Sequence, residues 1–428
     1  MKSWSRAVRT LGVIAAVAVA FGACDEQLDS GGACPSLCPQ PSGQIRDTTF
    51  VAIALDTSIA GFPTQGLETE LYIASLQDTL QTRGVIRFDS LPKTFRHNNT
   101  AVDSAIVAID TGSVLRVYVA VPDTTGVQTT VEAYDVDLGG AEDTDPNAVG
   151  SAFTPDRLLG SRTFAAALLK DSLDIPIDPA KLLTKVQADT PANRLRVGLR
   201  VSSTAGSAKL SINSTNSASN SSRLIFHPAP GDATVPVTNY SPYSKTPSEP
   251  TTASALRDYV AFLQTPPPPG ATVLRVGGLP GRRVYLLFDI PSRIIDSTDI
   301  VRATLQLTQV PSLSSPEPQD TIGVQQFAVS ASSNVEDIAR ALQLLVAART
   351  DTMHVVPSGS GVRPFEMLEQ VRFWRSTSPT KTPRAVALRL VREGLVAGQA
   401  DFFSIEAPAD VRPSLRLLYL PRPEVTKP

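Results

Sequence analysis

The chain is short of the residues that do most catalytic and metal chemistry. Its 428 residues include three cysteines, three histidines, three methionines and two tryptophans. His97, His227 and His354 stand far apart, so there is no His-x-His or HExxH pair to hold zinc, and spacing supports no histidine-based triad. No charge of one sign dominates. A net charge of −2 and a pI near 6.0 exclude the basic field that nucleic acid requires, and equally a polybasic membrane patch. The glycine-rich pieces GLPG (278–281) and SGSG (358–361) read as turns, since neither opens a helix with the GK[ST] of a phosphate loop. With no catalytic constellation, the residues predict a protein that is not an enzyme.

What is present is β-forming. Apolar residues make up 42% of the chain, enough for folded cores, and 35 prolines favour loops and sheet edges over long helices. Runs of β-branched and aromatic residues recur between Gly, Pro, Asn, Asp and Thr, among them FVAIAL (50–55), GVIRF (84–88), VLRVYVAV (114–121), NRLRVGLRV (193–201) and RLIF (223–226). Many short strands at this spacing predict an antiparallel sandwich or jelly roll.

The strand pattern then repeats. GVIRFDSLP, ending at Pro92, matches VYLLFDIP, ending at Pro291, with Phe88-Asp89 against Phe288-Asp289. GLRVSS (198–203) matches ALRLVRE (387–393), KLSI (209–212) matches FFSI (402–405), and SSRLIFHP (221–228) matches SLRLLYLP (414–421). Blocks recurring in one order at an offset near 200 residues indicate two homologous modules. The expected fold class is therefore mostly β: two tandem antiparallel β-sandwich, jelly-roll-like domains at 47–230 and 231–423, each with one short helix. The seam falls at the Pro/Gly-rich PAPGDA (228–233), and each module is expected to fold alone. The helices are IDPAKLLTKVQ, with Asp178 as N-cap and Pro179 at N1, and NVEDIARALQLLVAAR, with Asn334 as N-cap. ALRDYVAFLQ (255–264) fits helix or strand equally.

Ahead of the modules stands LGVIAAVAVAFGAC (11–24), preceded by Lys2, Arg6 and Arg9. It is too short to cross ~30 Å of hydrocarbon, which takes about 20 apolar residues. It has instead the length of a signal h-region and closes on small residues before a cysteine. This arrangement resembles the lipobox of bacterial lipoproteins. The resemblance implies a signal peptide at 1–23, lipidation of Cys24, and a cell-envelope location at the outer membrane. Residues 24–46 read as a flexible lipidated stalk and 424–428 as a tail. Cys34 and Cys38, in a Gly/Pro/Ser-rich stretch without metal-binding neighbours, predict a small local disulfide.

The order LRVGG (274–278), RVYLLFDIP (283–291) and IVRATLQL (300–307) resembles the DNRLRE-type modules of bacterial secreted and surface proteins, and ELYIASL (70–76) with GVIRFDSLP repeats it more faintly. That resemblance implies a jelly roll similar to carbohydrate-binding modules, and a carbohydrate role.

Three further groups carry candidate chemistry. Phe88-Asp89 and Phe288-Asp289 read as a core ring followed by a turn-capping aspartate, which displaces a catalytic reading. DVDLGGAEDTDP brings Asp135, Asp137, Asp143 and Asp145 around two glycines, which offers oxygens to calcium; the competing reading is a solvated acidic loop. Trp374, the only tryptophan after the signal, and Tyr240, Tyr243 and Tyr259 are the candidate ligand-binding aromatics of the second module. Against that stands packing: Trp374 beside Phe373 in an alternating strand puts one of the two in the core. The functional expectation is a lipid-anchored envelope protein with a binding or structural role, its partners the membrane and either a polysaccharide or another envelope protein. Capture of polysaccharide is the first alternative and a hydrolase with an unseen site the second.

Overall fold

The computed structural model describes residues 44–422 except 52, 77–78, 98–102, 123–127, 140–144, 190–192, 243–256, 330–344, 347–351 and 377–383. Cys24, Cys34, Cys38, Asp143, Tyr243 and Asn334 lie outside the described residues.

Strand-forming runs build two large antiparallel sheets in sandwich-like layers, whose central strands, such as Leu80–Phe88 and Gly281–Phe288, are buried along most of their length. The strand order of the first sheet is Thr238–Tyr240, Arg223–Phe226, Val114–Val121, Ser207–Asn213, Glu70–Leu76, Leu80–Phe88, Leu195–Ser202, Thr129–Asp135 and Leu158–Phe164. In the second it is Arg46–Phe50, Ser414–Pro421, Thr298–Val310, Gln399–Phe403, Val273–Gly277, Gly281–Phe288, Ala385–Leu390, Ile322–Val329 and Leu345–Val346. The two orders match rung for rung. Side pairings match too: Ser172–Pro176 lies on Val114–Val121, as Gly361–Glu366 lies on Thr298–Val310.

Each sheet encloses its own core. Ile73, Phe88, Leu115, Val197, Ile212 and Phe226 fill the first, with Leu182 and Val186 added by helix Pro179–Gln187. Asp178 caps that helix as expected, accepting from the N–H groups of Ala180 and Lys181. Leu286, Phe288, Leu305, Phe402 and Leu417 fill the second, closed by Val371 and Trp374 of helix Leu368–Ser376. Full burial of a side chain of this size contributes about 1.5–3 kcal/mol, so either core outweighs any single polar contact.

The strands do not divide at 230/231. Arg46–Phe50 and Ile53–Phe62, expected in the first module, pair with Ser414–Pro421 and Gly281–Phe288 of the second sheet. Asp258–Gln264, expected in the second module, pairs with Leu80–Phe88 of the first, which also decides it as strand. Thr238–Tyr240 likewise extends the first sheet through Arg223–Phe226. The strands that lead each repeat thus complete the sheet of the other. The close fit of one exchanged strand is visible at Gly281, where a Cβ would stand 2.4 Å from the carbonyl oxygen of Phe62.

Helix content also differs from expectation. Beside Pro179–Gln187 the described residues form helices Pro146–Ser151, Ser292–Asp296 and Leu368–Ser376. Most of the helix expected from Asn334 lies outside the described residues; Leu345–Val346, within its span, form a short strand on Ala328 and Val329.

Candidate functional site

The two sheets meet over a small apolar contact, Tyr72, Ala74 and Leu80 of the first against Leu279 and Ala397 of the second. Beside it opens a cleft of about 410 Å³, within the size range of small-molecule sites. The first sheet contributes Tyr72, Lys209 and Ser211; loops beside strands of the second contribute Glu317, Asp320 and Arg392; Val121, Pro122, Leu395 and Val396 supply apolar wall.

Ion pairs cross the cleft between sheets. Glu317 Oε1 accepts from Lys209 Nζ at 2.5 Å and from the Tyr72 hydroxyl at 3.0 Å, while its Oε2 accepts the Ala397 N–H at 3.2 Å. Glu70 Oε2 accepts from Ser211 Oγ at 2.7 Å and from Arg392 Nη2 at 3.3 Å. Sequence alternation places these groups: Lys209 and Ser211 stand two apart on one strand and share a face. The lining holds two bases, Lys209 and Arg392, and two acids, Glu317 and Asp320, so the cleft carries both signs. Such a lining offers donors, acceptors and an apolar wall to a neutral or zwitterionic polar molecule. Among the described residues, no histidine or cysteine lines it.

The candidate aromatics do not gather there. Trp374 is 3% exposed, tilted against Phe288 with ring centroids 5.7 Å apart. It stands on a helix, not on the alternating strand expected, because the segment's apolar residues Val371 and Trp374 recur at helical spacing toward the core. Tyr259 is 3% exposed within the first sheet, packed among Val85, Tyr134 and Val149. Tyr240 donates its hydroxyl to the carbonyls of Asp89 (2.5 Å) and Ser90 (2.8 Å), and burial raises its phenol above the ordinary range. Trp374 and Tyr259 are buried and Tyr240 packs against the first core, so these three candidates form no shared sugar platform.

The acidic stretch is also differently employed. Asp135 and Asp137 meet Lys185 at 2.8 and 3.6 Å, and Asp137 meets Arg194 Nη2 at 2.9 Å. Asp145 caps helix Pro146–Ser151 through the Asn147 N–H. Arg194 and Lys185 hold the Asp137 carboxyl below its usual range against the cost of burial. Asp135 and Asp137, two of the four aspartates offered to calcium, are thus the acidic centre of a cationic cluster, and among the described residues no three Asp, Glu, His or Cys side chains converge as metal ligands. Phe88 fills the first core as expected, but Asp89 pairs with the Arg87 guanidinium (Nε to Oδ1, 2.7 Å) and does not cap the turn.

Two buried carboxyls went unread in the sequence. Burial pushes Glu68 up to about 7 and Asp258 up to about 6, and the Asp258 charge adds to the rise at Glu68. Their surroundings are structural. Thr215 donates both its N–H (2.6 Å) and its hydroxyl (2.9 Å) to Asp258, the Gly66 N–H donates to Glu68, and Asn216 Nδ2 donates to the Gly66 and Glu68 carbonyls. They clasp the head of an exchanged strand. Neither lines the cleft.

No family model matches the chain, and no curated protein matches it. Among solved structures it is similar to the infectious bursal virus-derived T=1 particle, at 10% identity over 89% of this chain and 74% of that chain, with a TM-score of 0.11. It is similar to the infectious bursal disease virus VP2 subviral particle at 10% identity over 89% and 76%, TM-score 0.12, and to the virus Gt strain at 10% over 92% and 84%, TM-score 0.14. At such TM-scores the likeness carries no argument about fold or function.

Proposed function

We propose that the chain is a lipid-anchored protein of the bacterial cell envelope, at the outer membrane, with a non-catalytic binding role. Its body is two tandem jelly-roll-like units that share strands, and its ligand site is the cleft between the sheets. The observation that carries the binding reading is the cleft's lining, in which Lys209, Arg392, Glu317 and Asp320 balance in sign beside an apolar wall. The anchor rests on the 11–24 run ending in Cys24. Two or three acyl chains, at about 0.8 kcal/mol per buried CH₂, hold a protein of this size at a bilayer where one would not.

Cys24→Ser is expected to release the protein from the membrane fraction or leave it unprocessed; unchanged detergent partitioning and precursor size overturn the anchor. For the cleft, the test is a panel of soluble polysaccharides, neutral oligosaccharides and zwitterionic amino acids against the wild type and Glu317→Gln. Binding weakened by that variant, with unchanged thermal melting, supports the site. Binding that ignores the variant puts recognition elsewhere, and no binding across the panel leaves a structural envelope protein.

A further inference from the structure

The exchange of leading strands is built the same way twice, down to its anchor. Aligning the acceptor strands through Phe88 and Phe288 puts Asp258 opposite Ile86 and Asp56 opposite Leu286, on equivalent rungs. Each aspartate reaches beyond its own strand to a backbone N–H just past the end of another strand of the receiving sheet. Asp258 takes Thr215, after Ser207–Asn213, at 2.6 Å; Asp56 takes Ile405, after Gln399–Phe403, at 2.8 Å. Each leading pair then adds a second, shorter strand on the strand that closes the repeat: Thr238–Tyr240 on Arg223–Phe226, and Arg46–Phe50 on Ser414–Pro421.

Recognition of a donor is therefore local. It includes a backbone ladder, one aspartate clasp and, at the second sheet, the Phe62 ring (1% exposed) under the Arg283 guanidinium at 3.9 Å, Ile53 in the core, the Ser58 hydroxyl on the Arg275 carbonyl and the Asp47–Arg416 ion pair. The second sheet's donor precedes the first repeat and runs into it over the short connection 63–69; the first sheet's donor follows Arg223–Phe226 and runs into the second repeat over 265–272. A connection the length of 63–69 spans at most ~25 Å, and it alone ties Arg46–Phe62 to the first sheet ahead of it in the chain. Nothing in the ladder distinguishes a donor on the same polypeptide from an identical donor on another. The closed and exchanged forms contain the same strand contacts, so their balance is set by the connection and by concentration.

We propose that a second copy of this chain is a partner for this surface: Arg46–Phe62 of each copy docks on the second sheet of the other, giving a two-fold strand-exchanged dimer. The reciprocal pairing between repeats is the intrachain form of that same dimer. The proposal stands on the strand pairing and is independent of the anchor and of the cleft.

The test uses the mature chain with Cys24, Cys34 and Cys38 replaced by serine. Thr49 and Arg416 lie directly opposite on Arg46–Phe50 and Ser414–Pro421, where Cβ atoms stand about 4.5–5.5 Å apart and a disulfide is reachable. Thr49→Cys is placed on one tagged copy and Arg416→Cys on a differently tagged copy. The two are unfolded together, refolded over a range of concentrations and oxidised. A covalent dimer carrying both tags is expected to rise with concentration and to exceed the pair Thr49→Cys with Arg372→Cys about tenfold or more. Arg372 is exposed on helix Leu368–Ser376, away from the register. Mixed dimer no greater than that control at every concentration overturns the proposal. One chain carrying both Thr49→Cys and Arg416→Cys must close an internal disulfide; if it does not, the register is wrong and the proposal falls with it.

Discussion

The two sheets share a strand order and differ in how they cover their outer faces. Arg83 and Arg283 occupy equivalent rungs, opposite Ala261 and Ile59 of the exchanged strands. Arg283 meets Glu393 through two hydrogen bonds (Nε to Oε1, 2.7 Å; Nη2 to Oε2, 2.5 Å). Arg83 has no such carboxylate: it donates to the Thr82 carbonyl at 2.9 Å and to Gln81 Oε1 at 3.3 Å, with its guanidinium 5.5 Å from the Phe153 ring. Burial, with Arg200 nearby, lowers its guanidinium to about 10. The cause is one residue, since Glu393 stands where the first repeat has Thr204. One topology thus tolerates a buried ion pair and a buried lone cation at the same place, because backbone pairing sets the fold while side chains settle their electrostatics locally.

The largest effect should come from breaking the ion pair. Arg283→Met leaves Glu393, whose side chain is 9% exposed, buried without its cation, a loss of about 3–5 kcal/mol. Replacing both, Arg283→Met with Glu393→Leu, should restore most of it. Urea unfolding measures each; a single variant as stable as the wild type would mean that the pair is hydrated.

The clasps give the next effect, through pH. Glu68 and Asp258 are raised, so their contribution is fully present below their unfolded values near 4 and is lost as pH rises through about 6 and about 7. One pKa unit corresponds to about 1.4 kcal/mol. With relaxation around the pair, stability should fall by about 3 kcal/mol between pH 4 and 8. The second sheet has only the half-buried Asp56, raised by burial, at the matching rung. Asp258→Asn should therefore flatten the melting temperature against pH more than Asp56→Asn does. Equal slopes would erase the difference between the clasps.

Much of this was legible and some of it was not, for physical reasons. Phe88 and Phe288 mark equivalent strands because a core ring must recur where a strand recurs. Asp178 signals its helix because an N-cap is a local event. The exchange left no such mark. Ile53–Phe62 carries the same burial pattern whichever sheet receives it, and pairing partners more than 200 residues apart impose no period. Trp374 misled because its neighbours are β-rich, and the helix shows only in the spacing to Val371. The cleft was invisible, since Lys209 lies on a strand of the first sheet and Glu317 on a loop of the second repeat, and they meet only through packing.

A smaller contrast separates Gly198 from Ala387, which occupy equivalent rungs opposite Val85 and Tyr285. A Cβ at 198 would stand 2.5 Å from Val136 Cγ1 and 2.7 Å from the Phe153 ring. Gly198→Ala should therefore cost about 1–3 kcal/mol through overpacking. The reverse change, Ala387→Gly, should cost about 0.5–1 kcal/mol through backbone entropy. Loss of the same size at both sites would mean that the segment over the first sheet yields as readily as open space.

The smallest expected effect tests the lone cation. Arg83 is 7% exposed and its Nε has no acceptor among the described residues, so its desolvation is offset by carbonyl contacts, the Phe153 ring and the Glu132 charge at longer range. Removing a buried cation without a carboxylate strands no opposite charge, unlike the change at Arg283. Arg83→Met keeps the stem's length and its packing against Phe153 while discarding the charge, and it also relieves the repulsion from Arg200. Its effect on unfolding free energy should lie within about 1 kcal/mol of zero, of either sign. Arg200 should be indifferent to the change, since it keeps Glu132 Oε2 at 2.5 Å and the Tyr134 hydroxyl at 2.6 Å. A loss as large as that of Arg283→Met would show that Arg83 organises the strand end through its hydrogen bonds to carbonyls, and that the two equivalent arginines do the same work by different partners.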